Sequence, residues 1–141
     1  MKSQIYPCLW FDGQAKEAAD FYCAIFKNSK ITTDTPMVIL FELNGKKFMG
    51  LNGGPHFKFD EAISFVVDCD TQEEIDFYWD RLIAGGGKES QCGWLKDKFG
   101  VSWQIIPAII GSLMSDPEKA PRVMQAVMKM KKINIEKLVN A

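Results

Sequence analysis

The triplet Asp20-Phe21-Tyr22 returns as Asp76-Phe77-Tyr78, 56 positions later. A period of that length constrains a chain of 141 residues more than any other feature, because it leaves room for two modules of one design and a remainder. The same offset of 56 sets Tyr6 on Ala62, Cys8 on Ser64 and Phe11 on Val67. An offset of 55 sets Gly45-Lys46-Lys47-Phe48-Met49 on Gly100-Val101-Ser102-Trp103-Gln104. Three identical residues carry little weight alone. The matching order of secondary-structure signals carries more.

In the first module "IYPCLWF" alternates as a strand does, with Ile5, Pro7, Leu9 and Phe11 on one face and Tyr6, Cys8 and Trp10 on the other. "GQAKEAADFYCAIF" follows as an amphipathic helix, with Ala15, Ala18, Ala19, Tyr22 and Phe26 near helical spacing. "MVILFEL" and "KKFMGLN" flank Asn44-Gly45, a strong hairpin signal, within a set of two or three strands. "NGGPHFKFDE" breaks the pattern and joins the halves. The second module repeats the order. "AISFVVD" reads as a strand, and "TQEEIDFYWDRLIAG" as a helix capped by Asp70 or Thr71 and stopped by Gly85-Gly86-Gly87. "SQCGWLKD" and "VSWQIIP" make a closing hairpin around Phe99-Gly100, with Val101, Trp103 and Ile105 facing one way and Ser102, Gln104 and Ile106 the other. In the tail, Asp116 before Pro117 starts a helix whose stripe is Ala120, Val123, Met124, Val127 and Met130. "NIEKLVNA" adds a short last helix with Ile135, Leu138 and Val139 inward.

Charge and cysteine usage exclude several function classes. A net charge of -1 and a pI near 5.8 leave no electrostatic footprint for nucleic acid or an anionic membrane. Lys129, Lys131, Lys132 and Lys137 read as the solvated face of the tail helix. No apolar run approaches the roughly 20 residues of a membrane span. "MKSQIYP" has no signal-peptide core, so a cytoplasmic protein is expected. Cys8, Cys23, Cys69 and Cys92 show no C-x-x-C spacing and are expected to be small buried hydrophobes, with neither a disulfide framework nor a zinc knuckle.

The stretches "PCLWFDGQAKEAADFY", "GGPHFKFDEAISF", "EEIDFYWDRL", "CGWLKDKFGVSWQIIP" and "VMQAVMKMKKINIEKL" resemble the PhnB-like family, whose members commonly carry the label 3-demethylubiquinone-9 3-methyltransferase. That family is part of the vicinal oxygen chelate superfamily of glyoxalases, bleomycin-resistance proteins and dioxygenases. The resemblance spans almost the whole chain. It implies an α+β fold of two βαβββ modules, residues 1–55 and 56–108 of a single glyoxalase-like domain, followed by a C-terminal helical tail over 109–141. It also implies a homodimer, with the C-terminal helices available to clasp the partner.

In metal-using members of the wider fold four ligands converge from the inner faces of the modules, a His or carboxylate from each first strand and a Glu from each last. By this resemblance the corresponding positions lie near Tyr6 and Met49, and near Ala62 and Gln104. None of these is a carboxylate or an imidazole, and an amide is a weak, neutral ligand. His56, the one histidine, stands in the inter-module loop. The expectation is therefore no bound metal and no cofactor. Strand alternation leaves Tyr6, Cys8, Trp10, Met49, Ala62, Ser64, Ser102 and Gln104 on the inner faces, and Ile5, Leu9, Phe11, Ile63, Phe65 and Val67 against the helices. The expected binding residues are Tyr6, Cys8, Trp10, Met49, Ser64, Ser102 and Gln104, a neutral, partly aromatic lining suited to a flat or apolar small molecule. A closed core filled by the same side chains is the structural counterpart of that reading.

Three functions remain open: a metal-free small-molecule-binding protein, an enzyme using acid–base groups such as Tyr6, Cys8, His56, Cys92 or Lys96 on a small or aromatic metabolite, and the methyltransferase of the family label. The glycine runs Gly53-Gly54-Pro55 and Gly85-Gly86-Gly87 do not stand between a strand and the helix it feeds, so neither forms the nucleotide-type turn that S-adenosylmethionine binding commonly uses.

Overall fold

The computed structural model describes residues 3–141, so Met1 and Lys2 of the N-terminal stretch read above lie outside the described residues. Two compact units divide the chain after Phe59. The first contains β1 (Cys8–Phe11), α1 (Ala15–Ile25), β2 (Lys30–Asp34), β3 (Val38–Leu43) and β4 (Lys46–Asn52). Its strands bond in the order β1-β4-β3-β2, with β1 and β4 parallel and the other pairs antiparallel.

The second unit repeats this design with β5 (Ser64–Cys69), α2 (Gln72–Ile83), β6 (Lys88–Glu89), β7 (Trp94–Lys96) and β8 (Ser102–Pro107). Its order is β5-β8-β7-β6, again with one parallel pair, β5 and β8. Three short helices, α3 (Ile110–Met114), α4 (Ala120–Met128) and α5 (Ile135–Val139), complete it. This is the α+β, two-module fold with C-terminal helices that the repeat implies.

Each sheet buries one face under its own helix. Ile39, Phe41 and Leu43 of β3 are buried while Val38, Leu40 and Glu42 between them are half-buried, the period of two that a one-sided sheet requires. Against them α1 lays Ala15, Ala18, Ala19, Tyr22 and Ile25. The small residues bring helix and sheet close: a Cβ on Gly50 would lie 3.2 Å from the Ala15 Cβ. Asn52 of β4 caps the helix from outside, its Oδ1 accepting from the Ala15 N–H at 2.9 Å. The Asn44-Gly45 hairpin has φ of 53° and 76°, the double left-handed geometry of a type I′ turn.

In the second unit Ile75, Trp79 and Leu82 of α2 are buried over Cys69, Leu95, Trp103 and Ile105. The N-cap is Thr71, whose side chain accepts from the Glu74 N–H while Glu74 Oε1 accepts from the Asp70 N–H. Burial matches α1 at an offset of 57, with Ala18, Tyr22 and Ile25 answering Ile75, Trp79 and Leu82. The identical triplets are thus out of phase by one residue: Tyr22 is buried, whereas Tyr78 is half-buried.

Several expected positions move. Ile5 is fully exposed, because β1 begins only at Cys8 and Pro7 has no N–H to give the ladder. Ile63 is 72% exposed and Ala62 precedes β5, held in a turn by its N–H to Asp60 Oδ1. The Asp116 carboxylate caps the turn of Glu118 and Lys119, and α4 proper starts at Ala120. Val123 and Val127 are buried with Leu113, Ile133 and Leu138, but Met124 and Val139 are exposed on the other sides of their helices. Only Cys69 of the four free cysteines is buried; Cys23 and Cys92 are half-buried and Cys8 is exposed. Among the described residues no helix is long and apolar enough to cross a membrane.

Candidate ligand-binding site

The face of each sheet turned away from its helix carries the polar and aromatic groups. In the first unit Cys8 pairs with Met49 and Trp10 with Leu51, which sets Cys8, Trp10 and Met49 on that face. Tyr6 lies just before the strand, its ring 4.1 Å from the Lys47 ammonium, a cation–π contact beside a hollow of about 350 Å³. Trp10 is engaged from above. Its Nε1 donates to the Gly54 carbonyl at 2.8 Å, and Phe57 meets the indole edge-on at 4.8 Å. Any Cβ on Gly53 would lie 2.3 Å from the indole ring, so only glycine lets the 53–57 segment cross here.

In the second unit the register sets Ser64, Ser102 and Lys96 in one row and Val66, Gln104 and Trp94 in the next. Gln104 Nε2 donates to Ser64 Oγ at 2.9 Å. Ser102 is 1% exposed, and its hydroxyl has no partner. An unsatisfied buried hydroxyl costs about 1–3 kcal/mol, so this one is tolerated against the stability of the sheet. Ser102 also lines a hollow of about 260 Å³ with Glu61, Lys88, Glu89, Ser90, Trp94, Leu95 and Lys96. Lys96 is ion-paired to Glu61 and holds that carboxyl below its ordinary range. Charged groups therefore rim this hollow, which strand alternation in "AISFVVD" and "VSWQIIP" alone does not reveal.

Beneath the β7–β8 hairpin lies a group the sequence reading does not single out. Asp97 is 3% exposed, and its Oδ1 accepts from the N–H groups of Phe99 and Val101 at 2.9 and 3.1 Å. Its Oδ2 accepts from Trp103 Nε1 at 2.9 Å. An Asp three residues before Gly100, opening the loop between two strands, is the signal that points to such an Asx turn. Lys88 and Glu61 are also absent from the residues expected from sequence, because a two-residue strand and the turn before β5 leave no periodicity to read.

The donor set decides whether a divalent cation fits. The positions that the family resemblance aligns with metal ligands hold a phenol, a thioether, a methyl and an amide, and His56 is exposed in its loop. Among the described residues no three of His, Cys, Asp and Glu converge in a group able to hold a metal ion. Hard cations need several anionic or carbonyl oxygens and zinc needs imidazole or thiolate. These residues do not fit such a group, and no chemical step is assigned to one.

Two four-stranded βαβββ sheets, each with one covered and one open face, define a fold of the glyoxalase and bleomycin-resistance type. Residues 3–106 match the sequence model of the 3-demethylubiquinone-9 3-methyltransferase family, and the chain belongs to that family. A solved structure described as a putative 3-demethylubiquinone-9 3-methyltransferase, PhnB protein, from Bacillus cereus is 33% identical, with a TM-score of 0.68 over 75% of this chain and 100% of that one. Protein PA1353 from Pseudomonas aeruginosa is 20% identical, with a TM-score of 0.63 over 75% of this chain and 98% of that one. The fosfomycin resistance protein FosX from Listeria monocytogenes, complexed with Mn(II) and sulfate, is similar in fold at 14% identity and a TM-score of 0.62, over 82% and 97% of the two chains. No curated protein matches the chain in sequence.

Proposed function

We propose that this chain is a metal-free small-molecule-binding protein, a single glyoxalase-like domain that acts in the cytoplasm as a homodimer. Its ligand-holding groups are Ser64, Ser102 and Gln104 on the open face of the second sheet, and Tyr6, Cys8, Trp10 and Met49 on that of the first. The observation that carries the reading is the Gln104 amide bonded to Ser64 Oγ. At the position where the family resemblance expects a charged metal ligand, a neutral group is instead held by a neutral hydroxyl. Such a pair orients a ligand through hydrogen bonds and supplies no Lewis-acid charge. The adjoining Trp94 offers an aromatic surface to a planar ligand.

Methyl transfer, which the family's name suggests, finds no support in the glycine-rich turns. Gly85-Gly86-Gly87 terminates α2, with the Gly87 N–H donating to the Ile83 carbonyl at 2.8 Å, so it opens no helix toward a cofactor. The test is a thermal-shift screen beside elemental analysis of the purified protein. The reading expects no stoichiometric divalent metal, stabilisation by aromatic metabolites and none by S-adenosylmethionine. A shift with S-adenosylmethionine alone would replace it with the transferase. Gel filtration checks the assembly, expecting a particle of twice the 16.0 kDa chain.

A further inference from the structure

We infer that the hollow on the second sheet takes a ligand bearing a carboxylate, and that Glu61 occupies the carboxylate's place until the ligand arrives. The inference rests on the reading of this open face as a binding face and names the class of molecule it accepts. Lys88 and Lys96 are direct cross-strand partners on that face, and Lys96 is in turn the partner of Ser102. Like charges placed opposite each other across a ladder repel, so the pair calls for an anion. The one acid on β6, Glu89, also lines the hollow, but its Oε2 is engaged by α2, accepting from Trp79 Nε1 at 2.7 Å. Glu61 answers only Lys96. It comes from the turn before β5, is more than half exposed, and beyond a hydrogen bond to its own backbone is held only by Lys96. Lys88, by contrast, has no ion-pair partner among the described residues.

A carboxylate has two oxygens, and the arrangement offers two ammonium groups for them. Below these cations, the Ser102 hydroxyl lacks any partner and lines the same hollow. Displacement of Glu61 from Lys96 opens a donor set of two ammonium groups and one hydroxyl, with Trp94 beside it for an aromatic ring. A neutral isostere gains no charge-assisted bond there and displaces Glu61 less readily.

The test is a titration of the full-length, ¹⁵N-labelled protein with benzoate and with benzamide, followed at the backbone amides. Benzoate is expected to shift the signals of Trp94, Lys96 and Ser102, and benzamide to bind there about tenfold more weakly. Glu61→Gln, which removes the internal competitor and leaves the sheet untouched, should tighten benzoate binding severalfold. Lys96→Gln should weaken it about tenfold. Equal binding of benzamide and benzoate at these amides would overturn the carboxylate class while leaving the binding face standing. Unchanged benzoate affinity in Glu61→Gln would remove Glu61 from the account and overturn the inference. No shift on the second sheet with either compound would overturn the inference and count against the binding face as well.

Discussion

At the scale of single residues, the chain shows how environment sets the behaviour of one residue type. Cys69 is fully buried under α2, and burial, with Glu74, Asp68 and Asp70 adding, pushes its thiol up to about 12. Cys8 is exposed on the open face of the first sheet. Titration of the native protein with a thiol reagent at pH 8, read by mass spectrometry, should label Cys8 first and Cys69 only after unfolding. Early labelling of Cys69 would show that α2 opens readily. Asp97 makes a second case. Its buried carboxylate gathers three N–H donors, so Asp97→Ala strands all three and should cost about 3 kcal/mol in a denaturant melt. Asp97→Asn, which keeps an acceptor toward Phe99 and Val101, should cost less.

At the scale of elements, the helical tail is tied to α2 by Gln72 and by an ion pair. Gln72 Nε2 donates to the Ile133 carbonyl at 3.0 Å and to Asp76 Oδ1 at 3.1 Å, and its Oε1 accepts from the Ile135 N–H at 2.8 Å. Gln72→Ala should destabilise the protein by about 2 kcal/mol and raise amide exchange over residues 130–139 before the sheets respond. Lys132, bonded to Asp76 at 2.9 Å, holds that carboxyl below its ordinary value, with Gln72 helping. A carboxylate depressed in the folded state contributes stability that is complete above its unfolded value, about 3.9, and lost as pH falls below it. The Tm difference between the native chain and Asp76→Asn should therefore be present at pH 6 and shrink at pH 3. The effect is small, since the pair is substantially exposed.

Element order was legible because periodicity and turn chemistry are local. The Asn44-Gly45 turn, the Thr71 cap and the alternation of β8 all follow from spacing. What escaped has a physical reason in each case. Pro7 and the Asp60 turn shorten the first strands from their starts, so Ile5 and Ile63 lose the faces that alternation assigns them. Met124 and Val139 each stand one position past a buried residue, Val123 and Leu138, and so turn off the packed stripe of α4 and α5.

At the scale of the whole molecule, one design is used twice with different chemistry on each open face. The first sheet offers an exposed thiol, a phenol under an ammonium, and an indole covered by the Gly53–Phe57 crossing. The second offers an amide–hydroxyl pair, an orphaned hydroxyl and two lysines. Of the binding residues expected from sequence, alternation placed Ser64, Ser102 and Gln104 on one face because β5 and β8 run in parallel register, with Ser64 opposite Ser102 and Gln104 two residues on. The charged rim was not legible, because it comes from a turn and a two-residue strand.

The central claim is that small molecules bind the open face of the second sheet without a metal. It is tested most directly by recording amide shifts of the labelled protein against a panel of aromatic metabolites, with and without excess chelator. The account predicts shifts centred on Ser64, Ser102 and Gln104 that are the same in both conditions. Shifts that vanish with chelator, or that never touch those three residues, would contradict it.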